Sequence, residues 1–520
     1  MIQTITLTGS DLTIKEILSV VDNKDIKIEV HKDALTRVKQ SRKFLDQQSA
    51  KQLIYGINTG FGPMAGHIIG KDQLSNLQRN LIVSHAVGMG EPILNSYVLA
   101  AMVVRLNTFL KGYSGVSVEL TEQLKKFINH RIIPIVPEHG AVGTSGDLVQ
   151  LSHIALAIIG EGEVIFNDKK QKVASVMAEL NIKPYVLKPK EGLAFINGTS
   201  MMTAIAAILC DKADTLLRIV IHSGAWSMEI VNAFSDSVSE VLHNLRPHSG
   251  QIFVAKMMRE VLSSSKLLQN RHEFNCENSS ITDSTHQIQR EVQDVYSLRC
   301  IPQILGPVKD ALEKTKEIVG VEINSVTDNP IVDVNKKEFL HGGNFHGDYI
   351  AYAVDQLKMT IVKLTMLSER RINYFLNQKV NRRFPPFINL DTPGLSLALQ
   401  GLQFVATSTT SQSQTLAFPQ YVHSISTNAD NQDIVSMGTD AALLTAKVLE
   451  NAYIVITIEL ITLAQAVDFM KNSKDLSPKN GALYKGLRKV FPVIIKDRVI
   501  IEELRNSISF VKDEAKYAIN

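Results

Sequence analysis

The sequence predicts a mainly α fold, in which a mixed N-terminal region is followed by a large bundle of long helices. After about residue 200, apolar residues recur every three or four positions, which is the spacing of one helix face. The clearest set is Ile350, Val354, Leu357, Ile361, Leu364 and Leu367. Two further stretches, 395–416 and 434–466, are long and contain almost no proline or glycine. Helices of this length usually pack side by side as a bundle.

The first 200 residues mix short β-branched runs with helical stretches. Residues 26–30 and 162–166 are rich in valine and isoleucine, as short strands are. Glycine clusters at 56–66 and 140–146 interrupt these runs and indicate loops. The change of pattern predicts two domains. Residues 1–215 would form a mixed domain that carries the second glycine cluster, and residues 216–520 would form the helical bundle.

Composition and charge argue against a disordered chain and against a nucleic-acid partner. The chain of 520 residues has 55 Lys and Arg against 52 Asp and Glu, a net charge of +3, and 45% of its residues are hydrophobic. Disordered chains are poorer in apolar residues, and nucleic-acid-binding proteins concentrate positive charge. We therefore expect a globular protein with no nucleic-acid partner. The basic residues between 363 and 383 alternate with apolar ones, so we expect them to form a solvated helix face.

The longest apolar stretch, 441–467, is interrupted by Lys447, Glu450 and Glu459. A membrane span needs about 20 mostly uncharged residues, so we expect a buried helix here. The start of the chain lacks the charged and apolar segments of a signal peptide. The three cysteines are far apart and match no disulfide or metal-binding pattern. These features predict a cytoplasmic protein with no membrane partner.

The glycine-rich segment 140–148 is the most informative part of the sequence. It lacks the lysine that a phosphate-binding loop requires. Asp147 stands where the nucleophile elbow of a hydrolase requires glycine. A plain structural turn remains possible, because Ser-Gly-Asp is common in turns. The segment alone therefore does not decide between a turn and a functional loop.

Together with other parts of the chain, this segment resembles the cofactor-forming loop of the histidine and aromatic amino acid ammonia-lyases. The match is Ala-Val-Gly-Thr-Ser-Gly-Asp-Leu at 141–148. Six other segments resemble further motifs of the same family, and they occur in the same order. They are 55–62, 191–199, 293–300, 328–330, 342–346 and 431–437. Such a colinear set does not arise by chance. The resemblance implies a helical enzyme that most resembles a bacterial tyrosine ammonia-lyase.

The resemblance also implies an electrophile that the protein makes from itself. Removing ammonia from an α-amino acid is difficult, because the β-proton is scarcely acidic and an amine leaves poorly. In this family an inner Ala-Ser-Gly tripeptide cyclises and loses water to form a methylidene-imidazolone, without an external cofactor. Here the ring would come from Thr144, Ser145 and Gly146. Glycine suits the attacking position because its backbone can approach closely, while Thr144 departs from the usual alanine and can alter local hydrogen bonding.

Residues in the other motifs receive roles from the same resemblance. Tyr55 would remove the β-proton as a phenolate base. Arg299 would bind the substrate carboxylate through its planar fork. Asn197 and Tyr296 would bind the electrophilic ring and stabilise negative charge on it. The lining of the cavity would include Gln293, Asn329 and Phe345, the last of which could equally be a core residue.

Two histidines, His341 and His346, could in principle form a metal pair. No third ligand stands at a suitable spacing. We therefore expect loop histidines and no metal site.

Two pairs of residues bear on the substrate, which the resemblance implies to be a free amino acid. Ser84 and His85 stand where these enzymes contact the substrate side chain. This pair is typical of histidine lyases and occurs in some bacterial tyrosine lyases, whereas phenylalanine lyases usually carry a bulky apolar residue at the second position. Asn431 and Gln432 match tyrosine and phenylalanine lyases and aminomutases, whereas histidine lyases carry glutamate at the second position. A neutral amide offers an imidazole no charge partner, and His85 can hydrogen-bond a phenol. We expect L-tyrosine, converted to trans-p-coumarate.

Other functions remain open on the sequence alone. They are histidine ammonia-lyase, phenylalanine ammonia-lyase, tyrosine 2,3-aminomutase and, outside enzymes, a catalytically silent helical interaction protein. The intact set Tyr55, Ser145, Asn197, Tyr296 and Arg299 argues against the silent protein. Members of the family are homotetramers whose active sites combine residues of neighbouring subunits, so the resemblance implies the same assembly here.

Overall fold

The computed structural model describes residues 3–277, 285 and 291–513. The chain divides into two compact units, each formed from three stretches of sequence. The first unit contains Met1–Cys210, Lys314–Asp355 and Pro419–Ala446, and the second contains Asp211–Glu313, Gln356–Phe418 and Lys447–Asn520. The predicted domains 1–215 and 216–520 stay a prediction, because compactness does not test which part of a chain folds on its own.

Helices dominate the described part of the chain, which confirms the predicted mainly α fold with its bundle of long helices. In chain order they are α1 (Ile14–Asp22), α2 (Lys32–Gln48), α3 (Leu74–His85), α4 (Asn95–Leu110), α5 (Val118–His130), α6 (Leu148–Ile158), α7 (Val173–Glu179), α8 (Glu191–Ile196), α9 (Ser200–Ile230), α10 (Glu240–Asn244), α11 (Ser249–Leu262), α12 (Arg271–Glu277), α13 (Tyr296–Arg299), α14 (Ile301–Glu322), α15 (Asp348–Leu376), α16 (Gln378–Asn381), α17 (Gln400–Leu416), α18 (Gly438–Met470), α19 (Pro478–Val490) and α20 (Ile501–Asp513).

The strands are short and belong to the first unit. They are β1 (Thr4–Leu7), β2 (Lys27–Val30), β3 (Met89–Pro92), β4 (Ile133–Pro134), β5 (Pro137–His139), β6 (Glu163–Phe166), β7 (Lys169–Lys172), β8 (Ile331–Asp333) and β9 (Glu338–Leu340). Strands β1 and β2 pair in parallel, with Thr4 opposite Lys27. The pairs β3–β5, β4–β6, β6–β7 and β8–β9 are antiparallel. The two runs predicted as strands correspond to β2 and β6.

In the first unit, helix α4 packs against α1, α2, α5 and β4, and its residues from Tyr97 to Leu110 are all buried. Helix α6 packs against both α3 and α8 in the same unit. The glycine-rich loop lies between β5 and α6, so these packed elements hold both of its ends. A rigid surround of this kind limits how far the loop residues can move.

The predicted helices around 350–367 and 434–466 are present as α15 and α18. The third predicted helix, 395–416, begins five residues later than expected, at Gln400. A carboxylate from a distant part of the sequence accounts for the later start. Asp497, in the second unit, accepts hydrogen bonds from the backbone N–H groups of Leu397 and Ala398 at 2.8 and 3.0 Å. Ala398 has a φ of 47°, which breaks the helical path at this point.

The expectation of a solvated basic face between 363 and 383 is wrong for one of its members. Arg371 is fully buried in the second unit, where its guanidinium donates to both carboxylate oxygens of Glu459, at 2.5 and 3.1 Å. It also donates to the hydroxyl groups of Ser223 and Ser368. A buried charge requires such partners. Ser368 lies one turn earlier in the same helix, whereas Glu459 and Ser223 are 88 and 148 residues away in sequence.

Helix α18 is the one helix in the described residues that is long and apolar enough to cross a membrane. Of its most apolar window, 78% is buried inside the protein. The predicted buried helix accounts for this pattern, since a core helix and a membrane span have similar composition.

Candidate functional site

The glycine-rich loop is joined to the segment that follows α8 by backbone contacts. Gly198 donates from its N–H to the carbonyl oxygen of Ser145 at 3.1 Å, and the N–H of Asp147 donates to the carbonyl oxygen of Gly198 at 2.8 Å. Gly146 has a φ of 71°, and a Cβ on it would lie 1.9 Å from the carbonyl oxygen of Gly198. Only glycine fits there, because both the space and the backbone angle exclude a side chain.

A second segment, 432–437, holds the other side of the loop. The N–H of Met437 donates to the carbonyl oxygen of Val142 at 3.1 Å. The Ser436 hydroxyl donates to the carbonyl oxygen of Gly143 at 3.0 Å, and the N–H of Gly347 donates to that same oxygen at 3.0 Å. The loop is therefore fixed through its backbone from three distant parts of the first unit.

Gln432 contacts two of the three residues predicted to form the electrophile. The Thr144 hydroxyl donates to Oε1 of Gln432 at 2.7 Å, and Nε2 of Gln432 donates to Oγ of Ser145 at 2.9 Å. Thr144 is buried and Ser145 is half-buried. The structure thus brings together Thr144, Ser145, Gly146 and Gln432, as the resemblance implies.

Asp147 is completely buried beneath the loop. One carboxylate oxygen accepts the N–H groups of Met201 and Met202, at 2.7 and 3.1 Å, in the first turn of α9. The other accepts the hydroxyl of Thr439. Burial raises the pKa of Asp147 from 3.8 to about 6, although the hydrogen bonds from Thr439, Met202 and Met201 oppose the change. This carboxylate ties the end of the loop to the start of α9.

Asn197 and Asn329 are also brought together. The Asn197 side-chain amide donates to the carbonyl oxygen of Asn329 at 3.1 Å. The Asn329 side-chain oxygen accepts the N–H of Gly342 at 2.9 Å. Asn197 is buried and Asn329 half-buried. The peptide bond between Asn329 and Pro330 is cis.

Arg105 of α4 lies behind these asparagines and is fully enclosed. Its guanidinium donates to the backbone carbonyls of Asn197 and Thr327, at 2.8 and 3.1 Å, and to that of Ala194. Burial lowers the pKa of Arg105 to about 10, while the charges of Asp328 and Asp147 raise it. The cation thereby fixes the backbone that carries Asn197.

A buried ion pair stands next to this arginine. Nζ of Lys190 lies 2.9 Å from both carboxylate oxygens of Asp328, and both side chains are fully buried. Burial lowers the pKa of Lys190, and the attraction of Asp328 opposes that change. The pair joins the start of α8 to the segment that holds Asn329.

Tyr55, Ser84 and His85 belong to the same unit as the loop. The phenolic oxygen of Tyr55 accepts the N–H of Gly62 at 2.9 Å. The Ser84 hydroxyl donates to the carbonyl oxygen of Leu81 at 3.2 Å, inside its own helix. Nδ1 of His85 lies 2.9 Å from that same carbonyl oxygen. Ser84 is thus bonded within α3, and His85 keeps Nε2 for other partners.

Phe345 is half-buried, whereas a core residue would be fully buried. Asn431 is exposed. Nδ1 of His346 lies 3.4 Å from a carboxylate oxygen of Asp348, and His341 is exposed. Within residues 3–277, 285 and 291–513, no group of three histidine, cysteine or acidic side chains is arranged to hold a metal ion. A cleft of about 740 Å³ in the first unit is lined by Glu322, Asn344 and His346 among others.

Three predicted site residues belong to the second unit: Gln293, Tyr296 and Arg299. Gln293 is exposed, and 69% of Tyr296 is exposed. The Arg299 guanidinium lies 4.6 Å from the centre of the Tyr296 ring, and its Nε donates to the carbonyl oxygen of Asp294 at 2.9 Å. The first unit therefore does not contain the whole predicted set.

Sequence reasoning missed several residues that support the site. Arg105 is the one charged residue in the apolar run from Tyr97 to Leu110, and a lone charge in such a run indicates a buried, paired group. Gln78 gave no such signal, yet its side chain donates to the carbonyl of Gly56 and accepts the N–H of Leu193, both at 3.0 Å. It joins the tyrosine loop to the asparagine segment.

Comparison with known proteins gives concordant matches. The chain matches the family model described as aromatic amino acid lyase over residues 12–489. A histidine ammonia-lyase of Macrococcus caseolyticus is 40% identical over 98% of this chain and 99% of that protein. A tyrosine aminomutase of Streptomyces globisporus superposes with a TM-score of 0.95 at 32% identity, covering 99% of this chain and 98% of the other. A phenylalanine aminomutase of Pantoea agglomerans superposes with a TM-score of 0.94 at 32% identity, covering 99% of each.

Proposed function

Because the chain belongs to the aromatic amino acid lyase family, we propose that it removes ammonia from an aromatic L-amino acid, and that its preferred substrate is L-tyrosine, released as trans-p-coumarate. The protein is a carbon–nitrogen lyase. The observation that carries the proposed preference for tyrosine is the neutral amide of Gln432 against the loop, and His85 adds to it.

The family works with a methylidene-imidazolone formed from the chain itself, without an external cofactor. This group supplies an electrophilic carbon to which the substrate can be attached. The loop geometry fits its formation from Thr144, Ser145 and Gly146. Gly146 has no side chain to block its backbone nitrogen, and Ser145 has an amide donor 2.9 Å from the hydroxyl that must leave as water. The ring would close by a bond between the Gly146 nitrogen and the carbonyl carbon of Thr144.

Tyr55 is the proposed base for the β-proton. The N–H of Gly62 donates to its phenolic oxygen at 2.9 Å, and a donor at that position stabilises negative charge on the oxygen. A base of this kind works only from its deprotonated form. The backbone therefore supports the role that the resemblance implies.

Asn197 is proposed to stabilise charge on the electrophile. It is buried, and its amide nitrogen already donates to the Asn329 carbonyl at 3.1 Å. A fixed amide costs little reorganisation during reaction. Arg299 and Tyr296 are proposed to bind the substrate carboxylate and the ring respectively, and Gln293, Asn329 and Phe345 to line the cavity.

The case for tyrosine depends on what Gln432 lacks. A carboxylate at this position would attract a protonated imidazole, and the amide of Gln432 carries no charge. His85 adds an acceptor suited to a phenolic hydroxyl, since its Nδ1 is directed at the Leu81 carbonyl. Both features favour an uncharged substrate ring.

Histidine is the second candidate, and the names of the curated relatives favour it over tyrosine. The relative from Macrococcus caseolyticus, at 40% identity, is a histidine ammonia-lyase. Ser84 and His85 are compatible with that substrate as well. Gln432 is the feature that this alternative leaves unexplained.

The test is product analysis after separate incubation of the purified protein with tyrosine, histidine and phenylalanine. We expect p-coumarate to form with the highest kcat/KM, and urocanate and cinnamate to form more slowly. Ser145→Ala is the matched control and should form none of them. If urocanate formed faster than p-coumarate, histidine would be the preferred substrate. If β-tyrosine were the main product, the protein would be an aminomutase.

We also propose that the protein acts in the cytoplasm as a homotetramer. The exposure of Tyr296 in the single chain supports an assembly in which a neighbouring subunit covers this segment. Light scattering with the purified protein tests the assembly directly, and a stable monomer with full activity would contradict it.

A further inference from the structure

Thr144 is the residue at which the loop departs from the family's usual alanine, and its hydroxyl has a defined partner. Only 3% of Thr144 is exposed, so the hydroxyl cannot turn to bulk water and has to be paired inside the protein. It donates to Oε1 of Gln432 at 2.7 Å. The other end of the same amide donates from Nε2 to Oγ of Ser145 at 2.9 Å.

The two ends of a glutamine amide are chemically different, since one only accepts and the other only donates. Fixing the oxygen at Thr144 therefore directs the NH₂ group toward Ser145. When Ser145 loses its hydroxyl, Nε2 loses this acceptor, while the bond from Thr144 remains. From the structure we infer that Thr144 is a positioning residue. It keeps the NH₂ group of Gln432 turned toward the side chain of Ser145, the reacting position. This inference rests on the proposed function.

The consequence is a preference for one class of substrate. Two N–H donors at the reacting position suit a substrate that brings an acceptor, such as a carboxylate or a phenolic oxygen. They oppose a substrate ring that brings only N–H donors, as an imidazolium does. Without the Thr144 hydroxyl, the amide can rotate and present Oε1 instead. Thr144 thus favours tyrosine over histidine by acting through Gln432.

The experiment is a double-mutant cycle on kcat/KM for tyrosine and histidine. It uses Thr144→Ala, Gln432→Met and the double variant, and each rate is normalised to the fraction of protein whose loop peptide has lost two waters. Thr144→Ala restores the residue usual in the family, so cyclisation should survive. We expect the tyrosine-to-histidine ratio to fall by about 2- to 13-fold in Thr144→Ala, as for one net hydrogen bond. In the Gln432→Met background, Thr144→Ala should have no further effect.

Two controls separate positioning from packing. Thr144→Ser retains the hydroxyl and should restore the wild-type ratio, whereas a packing role would leave it impaired. Thr36→Ala removes an exposed hydroxyl that bonds the Lys32 carbonyl in α2 and should change nothing. An additive cycle, or a Thr144→Ser variant that behaves like Thr144→Ala, would overturn the inference. A wild-type protein inactive on every amino acid tested would overturn the proposed function first, and the inference with it.

Discussion

His85 is proposed to contact the substrate side chain, and its ring contacts the backbone of its own helix. It ends α3, and its Nδ1 lies 2.9 Å from the carbonyl oxygen of Leu81. Oγ of Ser84 lies 3.0 Å from the same nitrogen. In the tautomer whose Nδ1–H donates to the Leu81 carbonyl, Nε2 is an acceptor. A tyrosine hydroxyl can donate to such a nitrogen, whereas phenylalanine has nothing to donate.

Replacing this histidine should therefore change selectivity. In His85→Phe the substrate hydroxyl loses its acceptor, which typically costs about 1–3 kcal/mol, or roughly 5- to 150-fold in kcat/KM for tyrosine. Phenylalanine should be unharmed or improved, because the new ring adds apolar contact. Steady-state kinetics on both amino acids measures the ratio. His85→Gln, which keeps a polar side chain, serves as the control, and an unchanged ratio in His85→Phe would remove His85 from the selectivity site.

Arg299 is proposed to bind the substrate carboxylate, and we expect the geometry of its guanidinium to matter more than its charge. Arg299→Lys keeps the charge and loses the planar fork, the contact with the Asp294 carbonyl and the stacking on Tyr296. We expect kcat/KM to fall by about 10- to 150-fold for every amino acid, with the loop peptide still modified. Arg218→Lys is a matched control, because Arg218 also lies over an aromatic ring, that of Phe253. Wild-type kinetics in Arg299→Lys would show that the carboxylate binds elsewhere.

Asp147 connects two elements, since it ends the loop and accepts the first N–H groups of α9. Its native pKa of about 6 lies above the value of 3.8 for a free carboxyl group. A group with a raised native pKa binds its proton more tightly in the folded state. Its contribution to stability is therefore fully present below pH 3.8 and is lost as the pH rises through about 6.

The corresponding measurement is the free energy of unfolding of wild type relative to Asp147→Asn, by urea titration from pH 4 to pH 7. Asparagine does not titrate, so the advantage of wild type over the variant should fall by roughly 2 kcal/mol across this range. Asp168→Asn, at an exposed surface pair with Lys24, should show no such trend. If the difference in unfolding free energy stayed constant with pH, the pKa of Asp147 would not be raised in the folded protein.

Elements were predictable where the local pattern decides them. The apolar spacing from Ile350 to Leu367 predicts α15, because burial of one face is a local requirement. The start of α17 was not predictable, since it depends on Asp497, about one hundred residues away. The burial of Arg371 likewise depends on Glu459. Periodicity shows that a face is polar or apolar, but it does not show which distant residue pairs with a charge.

In the first unit, stretches far apart in sequence are joined by buried charges around the site. The predicted site residues around the loop were recognisable from their motifs, and the structure places Thr144, Ser145, Gly146 and Gln432 in contact. Arg105 and Lys190 fix the backbone behind them and were missed, because neither belongs to one of these motifs. For Arg105 the lone charge in the apolar run of α4 was the available signal. One partner of each, Thr327 and Asp328 respectively, lies more than one hundred residues away in sequence.

Removing one partner of the buried pair should destabilise the unit strongly. Asp328→Asn leaves the Lys190 charge without its counter-ion, and breaking a buried pair typically costs about 3–5 kcal/mol. Urea unfolding monitored by circular dichroism should detect this loss. The matched control is Asp168→Asn at the exposed pair with Lys24, where about 0–1 kcal/mol is expected. Equal effects in the two variants would contradict the assignment of the buried pair as a structural anchor.

The central claim is that Thr144, Ser145 and Gly146 form the electrophile of this lyase. The most direct measurement is the mass of the loop peptide from active wild-type protein, together with that from Ser145→Ala. We predict a wild-type peptide lighter than its sequence mass by two waters, and an unmodified, inactive Ser145→Ala protein. A wild-type peptide of full sequence mass, in a preparation that still releases ammonia from its amino acid substrate, would contradict the claim.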